Sequence, residues 1–100
     1  MAVTYERLAD EEIREALVQA PDWELHGNAI KQEFLFGDFD QAMGFVNKVA
    51  EIARQLDHHP NIGVYYNKVD LELTTHKAGG LTEEDFELAR EIDKIVISDE

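Results

Sequence analysis

The stretch from Phe39 to Leu56 limits what this 100-residue chain can become more than any other. Phe39, Ala42, Met43, Val46, Val49, Ala50, Ala53 and Leu56 recur at helical spacing and form one continuous apolar stripe, which Phe45 and Ile52 widen from off its centre. Asp38 followed by Gln41 reads as a capping box with aspartate in the capping place, and Pro60 as the stop. A stripe this wide exceeds what one small sheet needs, which points to a partner subunit over the excess. Gly44 costs about 1 kcal/mol relative to alanine inside a helix, so its presence hints at a close backbone approach.

The flanking segments supply the sheet. Trp23 to His26 and Ile30 to Phe36 read as two strands joined around Gly27-Asn28, residues that accept the positive φ of a tight hairpin. Ile30, Gln32, Phe34 and Phe36 share one face, and Lys31, Glu33 and Leu35 the other. After a loop at Asn61 to Gly63, a period-two pattern sets Val69, Leu71, Leu73 and Thr75 against Lys68, Asp70, Glu72, Thr74 and His76. A shorter helix with Asp10 as its cap and Ile13 and Leu17 inward precedes the strands, ending at Pro21. A third begins at Thr82, with Phe86, Ala89, Ile92 and Val96 at helical spacing. The order α-β-β-α-β-β-α predicts an α+β domain spanning residues 1–100: a four-stranded antiparallel sheet with three helices packed on one face.

Charge and composition close off several functions. The net charge of −13 and nine scattered basic residues argue against nucleic-acid binding. The chain has no cysteine, which excludes thiol catalysis and thiolate metal sites. No apolar run reaches the ~18 residues of a membrane span, and the first residues lack the basic-then-apolar pattern of a signal peptide. The expectation is a soluble cytoplasmic protein that does not bind membrane.

Three of the four histidines lie between His58 and His76. Imidazole acts as acid, base or metal ligand near neutrality, but His58-His59 at a helix end also suits a dipole-offsetting role. Adjacent histidines normally diverge, so their spacing argues against a metal site. Asp85 reads equally as the third residue of a capping box with Thr82 and as a carboxylate that orients an imidazole. Tyr66 and His76 share a phase, yet ten residues of straight strand would separate them by over ~30 Å. They serve one site only if the strand breaks, expected near Asn67-Lys68, or if neighbouring subunits complete it.

Asp57-His58-His59-Pro60, Tyr66, His76 and Asp85 at this spacing resemble the signature of the pterin-4a-carbinolamine dehydratases. Pro21-x-Trp23, Phe34-x-Phe36-x-Asp38-Phe39, Thr75-His76 and Gly80-Leu81-Thr82 fit the same pattern, and the match runs from about Leu8 to Ile95. The resemblance implies loss of water from 4a-hydroxytetrahydropterin to give quinonoid dihydropterin, a step that recycles pterin for aromatic amino-acid hydroxylation. It implies no metal and no organic cofactor, pterin being the substrate, and a homodimer or homotetramer. By the same resemblance His59 and His76 transfer protons, His58 lines the site and Asp85 orients a histidine or polarises the pterin. Pro60, Tyr66, Thr75 and Arg54 fall among the substrate-binding positions. Arg54 departs from the pattern, which usually has Glu, Asp, Lys or His there; a guanidinium only donates hydrogen bonds, so it either pairs with Asp57 or Asp85 or contacts the pterin. The alternative function is a non-enzymatic helper that binds a partner through its helical surface, with Gly44, Phe45 and Ile52 as candidate contacts.

Overall fold

A computed structural model describes residues 6–98. The elements run α1 (Asp10–Val18), β1 (Glu24–His26), β2 (Ala29–Leu35), α2 (Phe39–Leu56), β3 (Asn61–Tyr65), β4 (Lys68–Leu73), a single 3-10 turn (His76–Ala78) and α3 (Glu83–Ser98). The four strands form one antiparallel sheet in the order β1-β2-β4-β3, so β2 and β4 are central and β1 and β3 form its edges. This is the α+β arrangement that the period changes predict.

Alternation places the core. Ile30 and Phe34 on β2, and Val69, Leu71 and Leu73 on β4, are buried on the face covered by helices. Lys31 and Glu33 face outward from β2, and Lys31 pairs with Glu72 across the strands at 3.3 Å. Helix α2 buries Ala42, Phe45, Val49 and Ala53 and packs on α3, β4 and β3. Phe45 therefore lies at the centre of the stripe rather than off it. Its ring meets Phe34 and Phe36 at centroid distances of 4.7 and 5.1 Å, and Trp23 meets Phe34 at 6.2 Å. Committed to this aromatic line, Phe45 is unavailable to a partner. Phe39 is the stripe residue left 46% exposed, and among the described residues nothing beyond the helix's own backbone comes within 4 Å of a Cβ built on Gly44.

Several boundaries shift for local reasons. The residue before α1 is Ala9, not Asp10; Glu12 accepts the Ala9 N–H at 2.9 Å, and Asp10 becomes the first helical residue. The segment read as a loop from Asn61 to Gly63 is strand, because β4 offers it a partner: Asn61 pairs with Glu72 and Gly63 with Asp70. On α3 the inward positions are Phe86, Leu88, Ala89, Ile92 and Ile95, while Val96 is 38% exposed. Asp38 accepts the Gln41 N–H at 2.8 Å as the box pattern requires, but the Gln41 side chain reaches Gly37 N–H instead.

The break between β3 and β4 falls at Tyr66-Asn67, one residue before the expected place. Tyr66 has φ 57°, a left-handed conformation that a bulky residue rarely adopts. Asn67 holds it there by two bonds to Phe36: its side-chain amide donates to the Phe36 carbonyl at 3.0 Å, and its own carbonyl accepts the Phe36 N–H at 2.8 Å.

Candidate functional site

The end of α2 aims the first histidine. The helix stops at Leu56, well before Pro60, because Asp57 turns left-handed at φ 52°. The Asp57 N–H reaches the Arg54 carbonyl, and the His58 N–H returns to the Ala53 carbonyl at 3.0 Å. This pairing closes the helix in a Schellman turn. The turn sends His58 inward, with a side chain only 11% exposed, and leaves His59 outside. The two rings diverge, as adjacent histidines in an unwinding chain must.

Waiting for His58 is a fully buried carboxylate, Asp85, on the first turn of α3. His58 Nε2 lies 2.5 Å from Asp85 Oδ1. Asp85 Oδ2 accepts the Thr75 hydroxyl and the Thr82 N–H, each at 2.9 Å. The second of these is the capping-box bond, so both readings of Asp85 hold at once: one oxygen caps α3 and the other faces an imidazole. Thr75 gives its only hydroxyl proton to Asp85, so the 2.9 Å contact between the two threonines has Thr82 donating to Thr75. A buried polar group is costly unless hydrogen-bonded, and His58, Thr75 and the Thr82 N–H satisfy both oxygens of Asp85.

A second carboxylate stands on the other side of the ring. Glu84 Oε2 is 3.6 Å from His58 Nδ1. Sequence reasoning passed over Glu84, which sits among other acidic residues at a helix start and carries no signal of its own. It also passed over Asp93, which accepts bonds from the Trp23 indole at 3.1 Å and from the Gln32 amide at 3.2 Å. Burial pushes the Asp93 carboxyl above its ordinary value, against those two hydrogen bonds, and nearby Asp22 adds to the rise.

His76 lies one residue beyond buried Thr75, exposed at the start of the 3-10 turn. It lines a hollow of about 260 Å³ with Asn28, Glu72, Thr74 and Gly80. The Asn61 amide bonds the Glu72 carboxylate at 2.9 Å and, with Lys31 and the charge of His76, holds it below the ordinary carboxylate range. Since Asn61 pairs with Glu72, the start of β3 lies beside the end of β4. His58, His59, Pro60, Thr75, His76 and Asp85 therefore belong to one end of the sheet. Tyr66 does not. It sits in the hairpin before Lys68, and β4 from Lys68 to Leu73 adds ~17 Å of strand between it and the histidines. The break occurs, yet it does not bring Tyr66 to His76 within one chain. Arg54 is exposed one turn before His58, and among the described residues no ion pair joins it to Asp57 or Asp85.

His26 pairs with Glu24 at 3.2 Å on the exposed edge strand. A concavity of about 740 Å³ opens on the uncovered face of the sheet and includes none of the predicted site residues. Among the described residues no cluster of three or more His, Asp or Glu side chains is arranged to hold a metal ion, and no helix is long and apolar enough to cross a membrane.

Fold and site together define a small α+β protein with a buried carboxylate–imidazole pair and two exposed histidines at one end of an antiparallel sheet. The chain belongs to the pterin 4 alpha carbinolamine dehydratase family, whose model matches residues 6–95. A relative from Sulfurisphaera tokodaii named for pterin-4-alpha-carbinolamine dehydratase is 50% identical over 90 residues, covering 90% of this chain and 97% of its own. One from Chloroflexus aurantiacus bearing the same name is 51% identical at the same coverage. The crystal structure of a transcriptional coactivator/pterin dehydratase from Brucella melitensis superposes with a TM-score of 0.85 at 41% identity, over 90% of this chain and 98% of that one. A pterin dehydratase-like protein identified as a RuBisCO assembly factor shares the fold at a TM-score of 0.59 and 22% identity, over 72% of this chain and 83% of that one.

Proposed function

We infer that this protein is a hydro-lyase that removes water from a 4a-hydroxytetrahydropterin to give the quinonoid dihydropterin. The observation that carries the reading is the buried Thr75–Asp85–His58 line ending beside exposed His59 and His76, all within a chain of the dehydratase family. Dehydration removes the proton on N5, breaks the C4a–O bond and protonates the departing hydroxyl, which leaves as water. Two imidazoles in opposite protonation states perform both transfers. His59 and His76 are the exposed pair suited to this, with Asp85 fixing His58 beside them and Thr75 fixing Asp85. Pro60 and Arg54 border the site.

Pterin is the substrate, and the reaction needs neither a metal nor an organic cofactor. Tyr66 reaches the histidines from a second copy of the chain, which makes a homo-oligomer part of this reading. Its place in the cell is recycling of pterin for aromatic amino-acid hydroxylation in the cytoplasm. Stopped-flow dehydration of freshly generated 4a-hydroxytetrahydropterin tests the activity. Replacing His59 and His76 singly by alanine is expected to lower the rate by about 10²–10⁴-fold each, the usual contribution of a positioned acid or base. Both variants should keep the fold, because both rings are exposed. Wild-type turnover no faster than the uncatalysed rate would favour the non-enzymatic helper instead.

A further inference from the structure

His76 is carried by a short turn that leans on a residue from before α1. The turn runs from Thr75 to Gly80 and is closed by reciprocal backbone bonds. The Thr75 N–H reaches the Gly80 carbonyl at 3.1 Å, and the Gly80 N–H reaches the Thr75 carbonyl at 3.3 Å. The chain ahead of α1 lies alongside, since the Leu8 N–H donates to the Leu81 carbonyl at 2.8 Å. That bond places the Arg7 side chain against Gly80. The three atoms nearest a Cβ built on Gly80 all belong to Arg7: Nε at 2.8 Å, Cδ at 3.1 Å and Cγ at 3.4 Å. Gly80 does not share the left-handed backbone of Gly79, so this close approach, and not the turn's conformation, accounts for a glycine here. Arg7 then reaches onward, its guanidinium donating to the Asn28 side-chain oxygen at 3.3 Å. Gly80 and Asn28 both line the hollow beside His76, so one arginine touches both banks of it. The Thr74 hydroxyl, bonded to the Asn28 carbonyl at 2.6 Å, ties the approach to the turn to the same hairpin.

We propose that Arg7 is a positioning residue: it fastens the Thr75–Gly80 turn to the β1–β2 hairpin and so sets where His76 meets the pterin. The inference rests on the dehydratase reading for its effect on rate, but not for the placement of the ring. Arg7 is not among the residues lining the hollow, and a guanidinium keeps its protons, so it acts through His76. Proton transfer is sensitive to such placement, because the heavy atoms must come within about 2.6–3.2 Å of each other. One end of the turn is fixed from inside, where buried Thr75 bonds Asp85. Arg7 holds the other end, at Gly80.

The test combines stopped-flow dehydration with the ring signals of ¹⁵N-labelled histidine in the full chain, His76 being assigned by its absence in His76→Ala. Arg7→Ala is expected to shift the His76 signals and to lower kcat by about tenfold with KM little changed, inside the ~10²-fold that a misplacement of about 1 Å can cost. Arg7→Lys keeps the stem on Gly80 but not the planar fork, and should recover part of the loss. Gly80→Ala displaces the arginine from the other side. Its methyl meets first the stem of an exposed, flexible side chain, so the fold should hold while kcat falls as in Arg7→Ala. Both changes break one contact, so the double variant Arg7→Ala/Gly80→Ala should match Arg7→Ala alone within about twofold. Unchanged His76 signals or an unchanged kcat in Arg7→Ala overturns the proposal. So do losses that multiply in the double variant. Failure of the wild type to dehydrate pterin overturns the functional reading alone, since the His76 signals still decide whether Arg7 places that ring.

Discussion

A single hydroxyl proton links the sheet to the site. Thr75, two residues past the end of β4, is buried and donates to Asp85, while accepting from Thr82. Thr75→Val keeps the shape and removes both bonds, leaving the Thr82 donor and one Asp85 lone pair unmet. The expected cost is about 1–3 kcal/mol, read from urea unfolding, with Thr75→Ser close to wild type. Tyr66 presents the opposite case, a side chain 68% exposed on a left-handed backbone. Left-handed geometry costs roughly 1–2 kcal/mol for an ordinary residue and less for asparagine. Tyr66→Asn is therefore expected to be as stable as wild type or up to about 1 kcal/mol more so, and slower in dehydration. A variant of unchanged stability and unchanged rate would show that the tyrosine has no part in the reaction.

Among the elements, α3 does two jobs. Its first turn carries Glu84 and Asp85, and its middle carries Asp93, which ties it to Trp23, just before β1, and to Gln32 on β2. Burial raises the Asp93 carboxyl above 3.8 in the folded protein, so the native state holds that proton more tightly than the unfolded chain. Its contribution to stability is accordingly greatest at low pH and is lost as pH rises from 3.8 through the raised native value. Asp93→Asn retains an oxygen for both donors and removes the titration. Stability measured by urea at a series of pH values should lose that downward slope, with a change at pH 7 of about 1 kcal/mol or less. Glu72 works with the opposite sign: its depressed carboxyl stabilises above the unfolded value and that contribution is lost in acid, though solvent screening keeps it small.

For the whole molecule, the proposed reaction must join a tyrosine at one end of β4 to histidines at the other. A second copy supplies the answer the dehydratase reading requires, and subunit mixing tests it. Tyr66→Ala and His76→Ala variants, each impaired alone, are expected to regain activity when unfolded together and refolded as mixed oligomers, because one site then holds both wild-type residues. No recovery in mixed oligomers verified by mass would place Tyr66 and His76 in the same subunit's site. The edge strands β1 and β3 and the exposed Phe39 on α2 offer surface for such assembly.

Periodicity alone determined the element order, the sheet face that is buried and the bounds of α2, since period 2 and period 3.6 are imposed by backbone geometry and survive without knowledge of neighbours. The capping pattern Thr82-x-x-Asp85 likewise announced both the start of α3 and a carboxylate. What spacing left undecided was whether His58-His59 was helix-end decoration or a site, because that depends on what lies opposite. Tertiary structure supplied what lies opposite: the left-handed turn at Asp57 brings His58 onto Asp85, 27 residues away along the chain. It also made Asn61–Tyr65 a strand, buried Phe45, and kept Tyr66 from the histidines, all consequences of pairing partners that are distant in sequence.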